Sequence, residues 1–235
     1  LDAARNRVAE PLEPPMAGTS ELLGLCAGAD PAWSQDGDDA VYSSVRVVVQ
    51  DGRPLLDFGG GLSRIVISAE SEDPVTLQLR NGVLMRMRAD NGPPLSRLYC
   101  DTSGNQGLAD DLDIYVGRGC GHINASERAS ENPVRAGDPR PARQRVRDRG
   151  TEAWFVLAEF CRAGQVRGLP RAALNGLLQR RYATRGKSDS PVYPARLEPK
   201  EEYIRRHRGS PNETDACALA ALAVRERMGI LPYGG

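Results

Sequence analysis

Residues 22–31 read LLGLCAGADP, an apolar run that stops at an acid and a proline. Eight apolar or glycine residues in a row predict a strand buried on both faces, because a half-exposed strand would alternate with polar residues. Gly24 and Gly28 permit close packing by a neighbouring element. The strand stops at Asp30, which we therefore expect at the carboxyl end of a central strand.

Two further strands are predicted after this one. Residues 40–49 are rich in β-branched residues, and Asp51-Gly52 is a strong signal for a tight hairpin turn. Residues 54–58 return as the third strand, whereas the glycines at 59–61 indicate a flexible loop. The start of the chain therefore predicts three antiparallel strands.

Helices and strands alternate through the rest of the chain. Apolar residues at every fourth position over 74–89 predict a helix, residues 97–100 predict a short strand ending at Asp101, and Leu108, Leu112 and Tyr115 mark one side of a second helix. Later elements are expected at 122–125 (strand), 154–161 and 173–178 (helices), 192–197 (edge strand), and 199–207 and 211–228 (helices). This order predicts an α/β fold in which the antiparallel strands are followed by parallel strands in one mixed sheet, with helices on both faces.

The even overall charge conceals an uneven distribution. Residues 1–120 hold 10 Lys and Arg against 18 Asp and Glu, whereas residues 121–235 hold 21 against 13. Nearly all cations of the second part are arginines, which form bidentate contacts with phosphate. The second part is a candidate polyanion-binding region, although a solvated charged surface explains the composition equally well. Within it, residues 127–149 are polar and arginine-rich and predict an exposed, mobile loop.

Composition also restricts location and domain organisation. The sequence has no run of about 18 apolar residues and no basic-then-apolar start, so we expect a cytosolic protein without a membrane span. Five cysteines at wide spacings favour buried, reduced thiols over disulfides or zinc ligands. Residues 1–20 are rich in proline and predict a linker, and residues 21–235 predict one folded domain.

Two aspartates occupy positions where ligands collect in open α/β sheets. Asp30 and Asp101 each follow an apolar strand, and binding sites of such sheets lie at the carboxyl ends of the strands. Neighbouring carboxylates repel each other, and Mg²⁺ or Mn²⁺ relieves that repulsion because hard cations prefer carboxylate oxygens. Taken singly, either aspartate also fits an ordinary turn.

Asp215 adds a third carboxylate from the final helix. The run Ser210-Pro211-Asn212-Glu213 predicts a capping box with Ser210 as N-cap, which fixes where the helix starts. Asp215 then shares a face with Leu219 and Leu222, and a carboxylate on a buried face needs a cation or several donors nearby. Stabilisation by the positive end of the helix dipole is the simpler alternative.

Together the three acids would permit phosphodiester hydrolysis assisted by two divalent ions, Mg²⁺ or Mn²⁺. Asp30, Asp101 and Asp215 would be metal ligands and catalytic residues. Asp38 and Asp39 are further candidates for holding the second ion, although an acidic turn accounts for them more simply. The residues expected to contact DNA phosphates are Lys200, Arg205, Arg206, Arg143, Arg145 and Arg147.

ATP binding is not supported by the sequence. Arg185-Gly186-Lys187-Ser188 is similar to the end of a phosphate-binding loop, but Arg181 occupies the position of the first glycine and no apolar strand precedes it. The two histidines and scattered thiols have no zinc spacing and suggest no Ser-His-Asp arrangement. We therefore expect no organic cofactor.

The order of the acidic motifs resembles the nuclease domain of phage terminase large subunits. The resemblance rests on Ala29-Asp30-Pro31-Ala32 with Gly37-Asp38-Asp39, on Tyr99-Cys100-Asp101-Thr102-Ser103-Gly104 with Gly107-Leu108-Ala109-Asp110-Asp111-Leu112, and on later segments. These later segments are Thr151-Glu152-Ala153-Trp154, Gly164-Gln165-Val166, Glu198-Pro199-Lys200-Glu201-Glu202 and Ser210-Pro211-Asn212-Glu213-Thr214-Asp215-Ala216. The likeness covers nearly all of residues 22–228.

The resemblance implies an RNase H-like fold and an endonuclease that cleaves concatemeric double-stranded viral DNA at the start and end of packaging. It also implies an upstream ATPase domain joined through residues 1–20, and a portal protein and a terminase small subunit as partners. The isolated domain would be monomeric, the full-length protein oligomeric in the motor, and the site of action the host cytoplasm. Asn212 stands where the family often has an acid, so the fourth ligand is left open.

Two other functions fit the same residues. Another RNase H-like nuclease, such as a junction resolvase or a recombinase, would use the same carboxylates on a branched substrate. A non-catalytic DNA-binding or packaging module would keep the aspartates for structural reasons only. The substrate preference and the effect of Asp101→Ala discriminate these alternatives.

Overall fold

The structure is a computed structural model that describes residues 21–31, 40–89, 92–104, 106–117, 119–183 and 194–233. The predicted linker at 1–20 and the acidic stretch with Asp38 and Asp39 lie outside the described residues. In the described part of the chain, no helix is long and apolar enough to cross a membrane. All five cysteines are unpaired and buried, which confirms the prediction of reduced thiols.

Seven strands form one mixed sheet within the described residues, in the order β6-β5-β1-β2-β3-β7, with β4 paired to β2. The bounds are β1 (Glu21–Asp30), β2 (Ala40–Gln50), β3 (Arg53–Asp57), β4 (Leu62–Ile65), β5 (Leu98–Asp101), β6 (Gly121–Ile123) and β7 (Val166–Arg167). β1, β2 and β3 are antiparallel, whereas β5 is parallel to β1 and β6 is parallel to β5. The predicted mixed sheet is confirmed. A separate two-stranded sheet joins β8 (Tyr182–Ala183) to β9 (Arg196–Leu197).

The first hairpin forms at the predicted turn. Asp51 and Gly52 both have positive φ, 52° and 73°, a turn geometry that matches the twist of the two strands. The glycines that follow β3 form a short turn, after which β4 begins at Leu62 and pairs antiparallel with the first part of β2. This strand was missed because its four residues show no apolar alternation.

Helices cover both faces of the sheet, as predicted. Their bounds are α1 (Val75–Ala89), α2 (Gly107–Val116), α3 (Ala142–Arg145), α4 (Arg149–Arg162), α5 (Arg171–Gln179), α6 (Lys200–His207) and α7 (Asn212–Met228). Buried residues of α1 and α2 pack with one set of strand side chains, and those of α4, α5 and α7 pack with the other set. The sheet is therefore the middle layer between two apolar clusters.

The last helix, α7, is the centre of the larger cluster. Every residue from Ala216 to Val224 is buried, so this helix is covered on all sides by the sheet, α4 and α5. Gly28 of β1 permits the close approach, since a Cβ there would lie 2.2 Å from the Ala216 carbonyl oxygen. This close contact fixes the position of the end of β1 relative to α7.

Two local predictions were wrong. The segment 127–149 is not an exposed, mobile loop, because Val134, Ala142 and Val146 are fully buried in the larger cluster and the segment includes α3. The capping box at the start of α7 does not form either. Pro211 is the N-cap and has no side-chain cap bond, while the Ser210 hydroxyl donates to Asn212 Oδ1 at 2.5 Å.

Candidate active site

Strand alternation places Asp30 and Asp101 on the face of the sheet that α7 covers. Cys26 on β1 and Tyr99 on β5 both pack into the cluster that contains α7. Asp30 follows Cys26 by four positions and Asp101 follows Tyr99 by two, so each carboxylate extends toward the same side. Because β1 and β5 are parallel neighbours, both acids lie at one edge of the sheet.

Lys200, the first residue of α6, lies between Asp30 and Asp215. Its Nζ is 3.7 Å from Oδ2 of Asp30 and 3.7 Å from Oδ2 of Asp215. The two oxygens are therefore separated by at most twice that distance. The Asp30 side chain is 8% exposed and that of Asp215 is 20% exposed. One ammonium group thus compensates two carboxylates that are largely removed from water.

The other oxygen of Asp215 is held by two donors from neighbouring helices. The Trp154 indole on α4 donates Nε1–H to Oδ1 at 2.7 Å, and Arg180, directly after α5, donates to the same oxygen at 3.3 Å. The Arg180 guanidinium also lies over the Trp154 ring, 4.7 Å from its centroid. Asp215 therefore has one oxygen bound to the helical layer and one facing Lys200.

Asp101 is held in a similar way by the turn that follows β5. Its Oδ1 accepts hydrogen bonds from the Ser103 backbone N–H at 2.8 Å and from the Ser103 hydroxyl at 2.5 Å. Burial raises the pKa of the Asp101 carboxyl. The Ser103 hydrogen bonds oppose this rise, repulsion from Asp215 adds to it, and attraction to Lys200 opposes it. Asp101, Asp215 and Lys200 therefore interact electrostatically.

A cleft of about 420 Å³ opens at this edge of the sheet and is lined by Asp101, Asp215 and Lys200. Asp30 is connected to the cleft through its contact with Lys200. The structure thus brings the three predicted acids into one neighbourhood. Throughout the described ranges, however, no three His, Cys, Asp or Glu side chains are arranged as a metal-binding group. The acids are close to one another without already surrounding a common point.

The predicted basic residues fall into two regions. Lys200 is in the cleft, and Arg205 and Arg206 are exposed on α6, where they line an adjoining groove of about 570 Å³. Arg206 forms an ion pair with Glu198. The second region is the segment 127–149, whose contacts restrict two of its arginines. Arg143 is paired with Glu131 and Arg145 with Asp138, whereas Arg147 is exposed.

Three residues that contact the acids were missed by sequence reasoning. The pattern Asp-Thr-Ser after β5 is typical of a side-chain-to-backbone turn, so Ser103 was detectable from local sequence. Trp154 lies in the predicted helix 154–161 and in a segment that carries the resemblance, but neither pattern indicates a contact with Asp215. No local pattern identifies Arg180, because it is 35 positions from Asp215 in the sequence. Trp154 is 61 positions from Asp215. These two contacts depend on how α4 and α5 pack against α7.

The fold belongs to the RNase H-like class, a mixed sheet with helices on both faces and acids at the carboxyl ends of adjacent parallel strands. Solved structures of terminase nuclease domains have the same fold. The nuclease domain of the large terminase subunit gp2 of bacterial virus Sf6 superposes with a TM-score of 0.60 at 13% identity, over 86% of this chain and 89% of that one. Its K428A mutant with manganese and beta-thujaplicinol gives 0.60 at 12% identity, over 84% and 87%.

The large terminase nuclease domain of Thermus phage P74-26 is also similar, with a TM-score of 0.45 and 16% identity over 99% of this chain and 97% of that one. No protein-family model matches the chain, and no curated protein has significant sequence similarity to it. The likeness to the Sf6 nuclease domain is therefore one of fold.

Proposed function

We propose that this chain is a divalent-metal-dependent endonuclease that cleaves concatemeric double-stranded viral DNA during genome packaging. The observation that carries the proposal is the convergence of Asp30, Asp101 and Asp215 beside Lys200 at one edge of the sheet. The fold likeness to terminase nuclease domains supports the substrate and the packaging role.

Asp30, Asp101 and Asp215 all offer carboxylate oxygens, which are the ligands that hard divalent cations prefer. A related structure that contains manganese supports Mn²⁺ or Mg²⁺ as the ion. In this proposal Asp30, Asp101 and Asp215 hold the metal, and Asp39 is a further ligand outside the described residues. Two bound ions would supply the positive charge that activates water for attack on the phosphodiester and stabilises the departing oxygen.

The protein groups have distinct tasks in this mechanism. Ser103 fixes one oxygen of Asp101, so that this carboxylate does not rotate away from the cleft. Lys200 lowers the repulsion between Asp30 and Asp215. As a cation lining the cleft, Lys200 is also placed to contact a phosphate oxygen of the substrate.

A path for the DNA backbone is supported by the basic residues beside the cleft. The cleft and the adjoining groove share the wall formed by Arg196, Leu197, Glu198 and Pro199. Arg196 therefore lines both openings, and Arg205 and Arg206 line the groove. Guanidinium groups along such a path suit phosphates of a duplex that crosses the site. In this proposal, Arg147 contributes more than the paired Arg143 and Arg145.

The packaging role also implies partners and a place of action. A portal protein and a terminase small subunit would be partners, the isolated domain would act as a monomer, and the reaction would take place in the host cytoplasm. These assignments follow from the role proposed for the site.

Plasmid cleavage by single-site variants tests the proposal. Asp101→Asn keeps the shape of the side chain and removes its charge, so Mn²⁺-dependent degradation of linear and circular plasmid should fall by at least about 10²-fold. Asp110→Asn is the matched control, because Asp110 is exposed on α2, whose buried residues pack on the opposite face of the sheet. Full activity of Asp101→Asn would refute the catalytic assignment. No cleavage by the unmodified chain would favour a binding module, and cleavage confined to branched DNA would favour a resolvase.

A further inference from the structure

Asp215 has an environment that is unusual for an acid in the first turn of a helix. Only 4% of Trp154 is exposed, and the Arg180 side chain is 11% exposed, yet both donors reach the same carboxylate oxygen. The donors come from two different helical segments, at Trp154 within α4 and just after α5. Asp215 is therefore oriented by the packing of three elements and not by its own helix alone.

The two donors form one unit. The Arg180 guanidinium lies over the Trp154 ring, and its second terminal nitrogen donates to the Glu198 carbonyl oxygen at 3.3 Å. Glu198 belongs to the short connection between β9 and α6, the helix that begins with Lys200. Arg180 thus connects Asp215 with the backbone that carries Lys200. The contact with the ring and the two hydrogen bonds together restrict the position of the guanidinium.

This arrangement leaves Oδ1 and Oδ2 of Asp215 with different roles. Oδ1 accepts from a neutral N–H and a charged one, while Oδ2 faces Lys200 at 3.7 Å. Asp101 shows the same division, because its Oδ1 is bound to Ser103. When donors fix one oxygen of a carboxylate, the group cannot rotate freely and its second oxygen points in a defined direction. This orientation favours binding of a cation by the second oxygen.

We propose that Trp154 and Arg180 are a positioning pair that orients Asp215 for the divalent cation, and that Trp154 fluorescence reports the occupancy of this site. The inference rests on the proposed nuclease function and adds two residues to its machinery. Tryptophan is suited to the task because its indole is a donor only, so it cannot repel the carboxylate. Phenylalanine at this position keeps an aromatic ring and removes the donor.

The fluorescence test uses the full chain with Trp33→Phe, which leaves Trp154 as the single tryptophan. Titration with Mn²⁺, a paramagnetic quencher, should strongly reduce Trp154 emission, because the indole is hydrogen-bonded to Asp215. Adding Asp101→Asn should weaken the quenching, whereas Asp110→Asn should leave it unchanged. Saturating Mn²⁺ that fails to alter Trp154 emission would contradict the second part of the proposal.

The positioning role is tested by Mn²⁺ affinity, measured by electron paramagnetic resonance on Trp154→Phe and on Arg180→Met. Each variant should bind Mn²⁺ about 10- to 100-fold more weakly, with the KM for DNA changed less than kcat. Far-UV circular dichroism and the thermal transition identify a variant that fails to fold. If one variant fails to fold, the Mn²⁺ affinity of the other tests the positioning role. Unaltered Mn²⁺ affinity in a folded variant would overturn the positioning role and leave the nuclease function standing. No Mn²⁺ binding by the unmodified chain would instead overturn the nuclease proposal itself.

Discussion

Gly28 of β1 touches the backbone of α7 at Ala216. A Cβ at position 28 would lie 2.2 Å from the Ala216 carbonyl oxygen and 2.6 Å from the Ala220 backbone nitrogen. Both contacts are with backbone atoms, which cannot move aside without displacing the helix. Asp30 lies two residues beyond Gly28, and Asp215 directly precedes Ala216. The contact therefore sets the separation of two of the three proposed metal ligands.

Replacing Gly28 with alanine should affect both stability and catalysis. Overpacking at a strand–helix contact costs about 1–3 kcal/mol, and a shift of about 1 Å in a ligand reduces catalysis by about 10²-fold. We expect Gly28→Ala to lower the urea midpoint and to lose more Mn²⁺-dependent cleavage than the unfolded fraction explains. Gly209→Ala is the control, since nothing lies within 4 Å of a Cβ at that position. Equal behaviour of the two variants would show that the contact does not set the site.

DNA affinity should depend on the basic groove and fall steeply with added salt. Each phosphate contact that is lost reduces the slope of log K against log salt by about 1. Arg205→Ala, in the groove, should therefore weaken binding to any duplex sequence and flatten this slope. Arg88→Ala is a matched control, because Arg88 is exposed near the end of α1 on the opposite face of the sheet. Fluorescence anisotropy with a labelled duplex from roughly 50 to 300 mM salt measures both effects. A DNA affinity that does not change with salt concentration would show that the groove does not bind phosphates.

Much of the sheet and two of the acids were predictable from local sequence. An apolar run that ends at Asp30, and a shorter one that ends at Asp101, each fix a strand and its carboxyl end without reference to the rest of the chain. The helix with Leu79, Val83 and Met87 on one face was predictable for the same reason, since its period is local. The antiparallel start of the sheet followed from the turn residues.

The parts that escaped prediction depend on long-range packing. Polar composition around residues 127–149 indicated exposure, but Arg225 of α7 donates to the Ser130 hydroxyl in this segment and pairs with Glu152, so part of this polarity belongs to a buried charge network. Trp154 and Arg180 escaped for a related reason, since their role is defined only when α4 and α5 meet α7. Helix α7 is buried on all sides, so its sequence has no polar face from which its neighbours could be deduced.

The cysteines should be chemically inert in the folded protein. Burial raises the pKa of Cys26, Cys161 and Cys217 to about 12 in each case, so almost no thiolate is present at pH 8. We expect almost no reaction with Ellman's reagent in buffer and reaction of all five thiols in denaturant. Rapid modification of a native thiol, with the circular dichroism spectrum unchanged, would show that at least one cysteine is accessible.

Acid stability should depend on Glu226 of α7. Burial acts to raise the pKa of Glu226, but hydrogen bonds and attraction from Arg149, together with attraction from Arg225, outweigh it and hold this pKa at about 2, below its usual 4.5. Because the folded-state pKa is the lower one, the unfolded chain binds the proton more readily. The resulting stabilisation is complete above about pH 4.5 and is lost as the pH falls toward 2. Its size is on the order of 3 kcal/mol.

Glu226→Gln should therefore be less stable than the unmodified chain at pH 7, and the difference should shrink between pH 4.5 and pH 2. The side chain is 14% exposed and contacts Arg149 at 2.9 Å, so loss of the charge leaves a largely buried guanidinium with one carboxylate fewer. Glu127→Gln, at an exposed position, should leave the free energy of unfolding nearly unchanged at every pH. Urea unfolding from pH 2.5 to pH 7 measures the difference. If the difference in the free energy of unfolding between Glu226→Gln and the unmodified chain stays constant across this range, the substitution destabilises the protein through lost packing and not through loss of the ionised carboxylate.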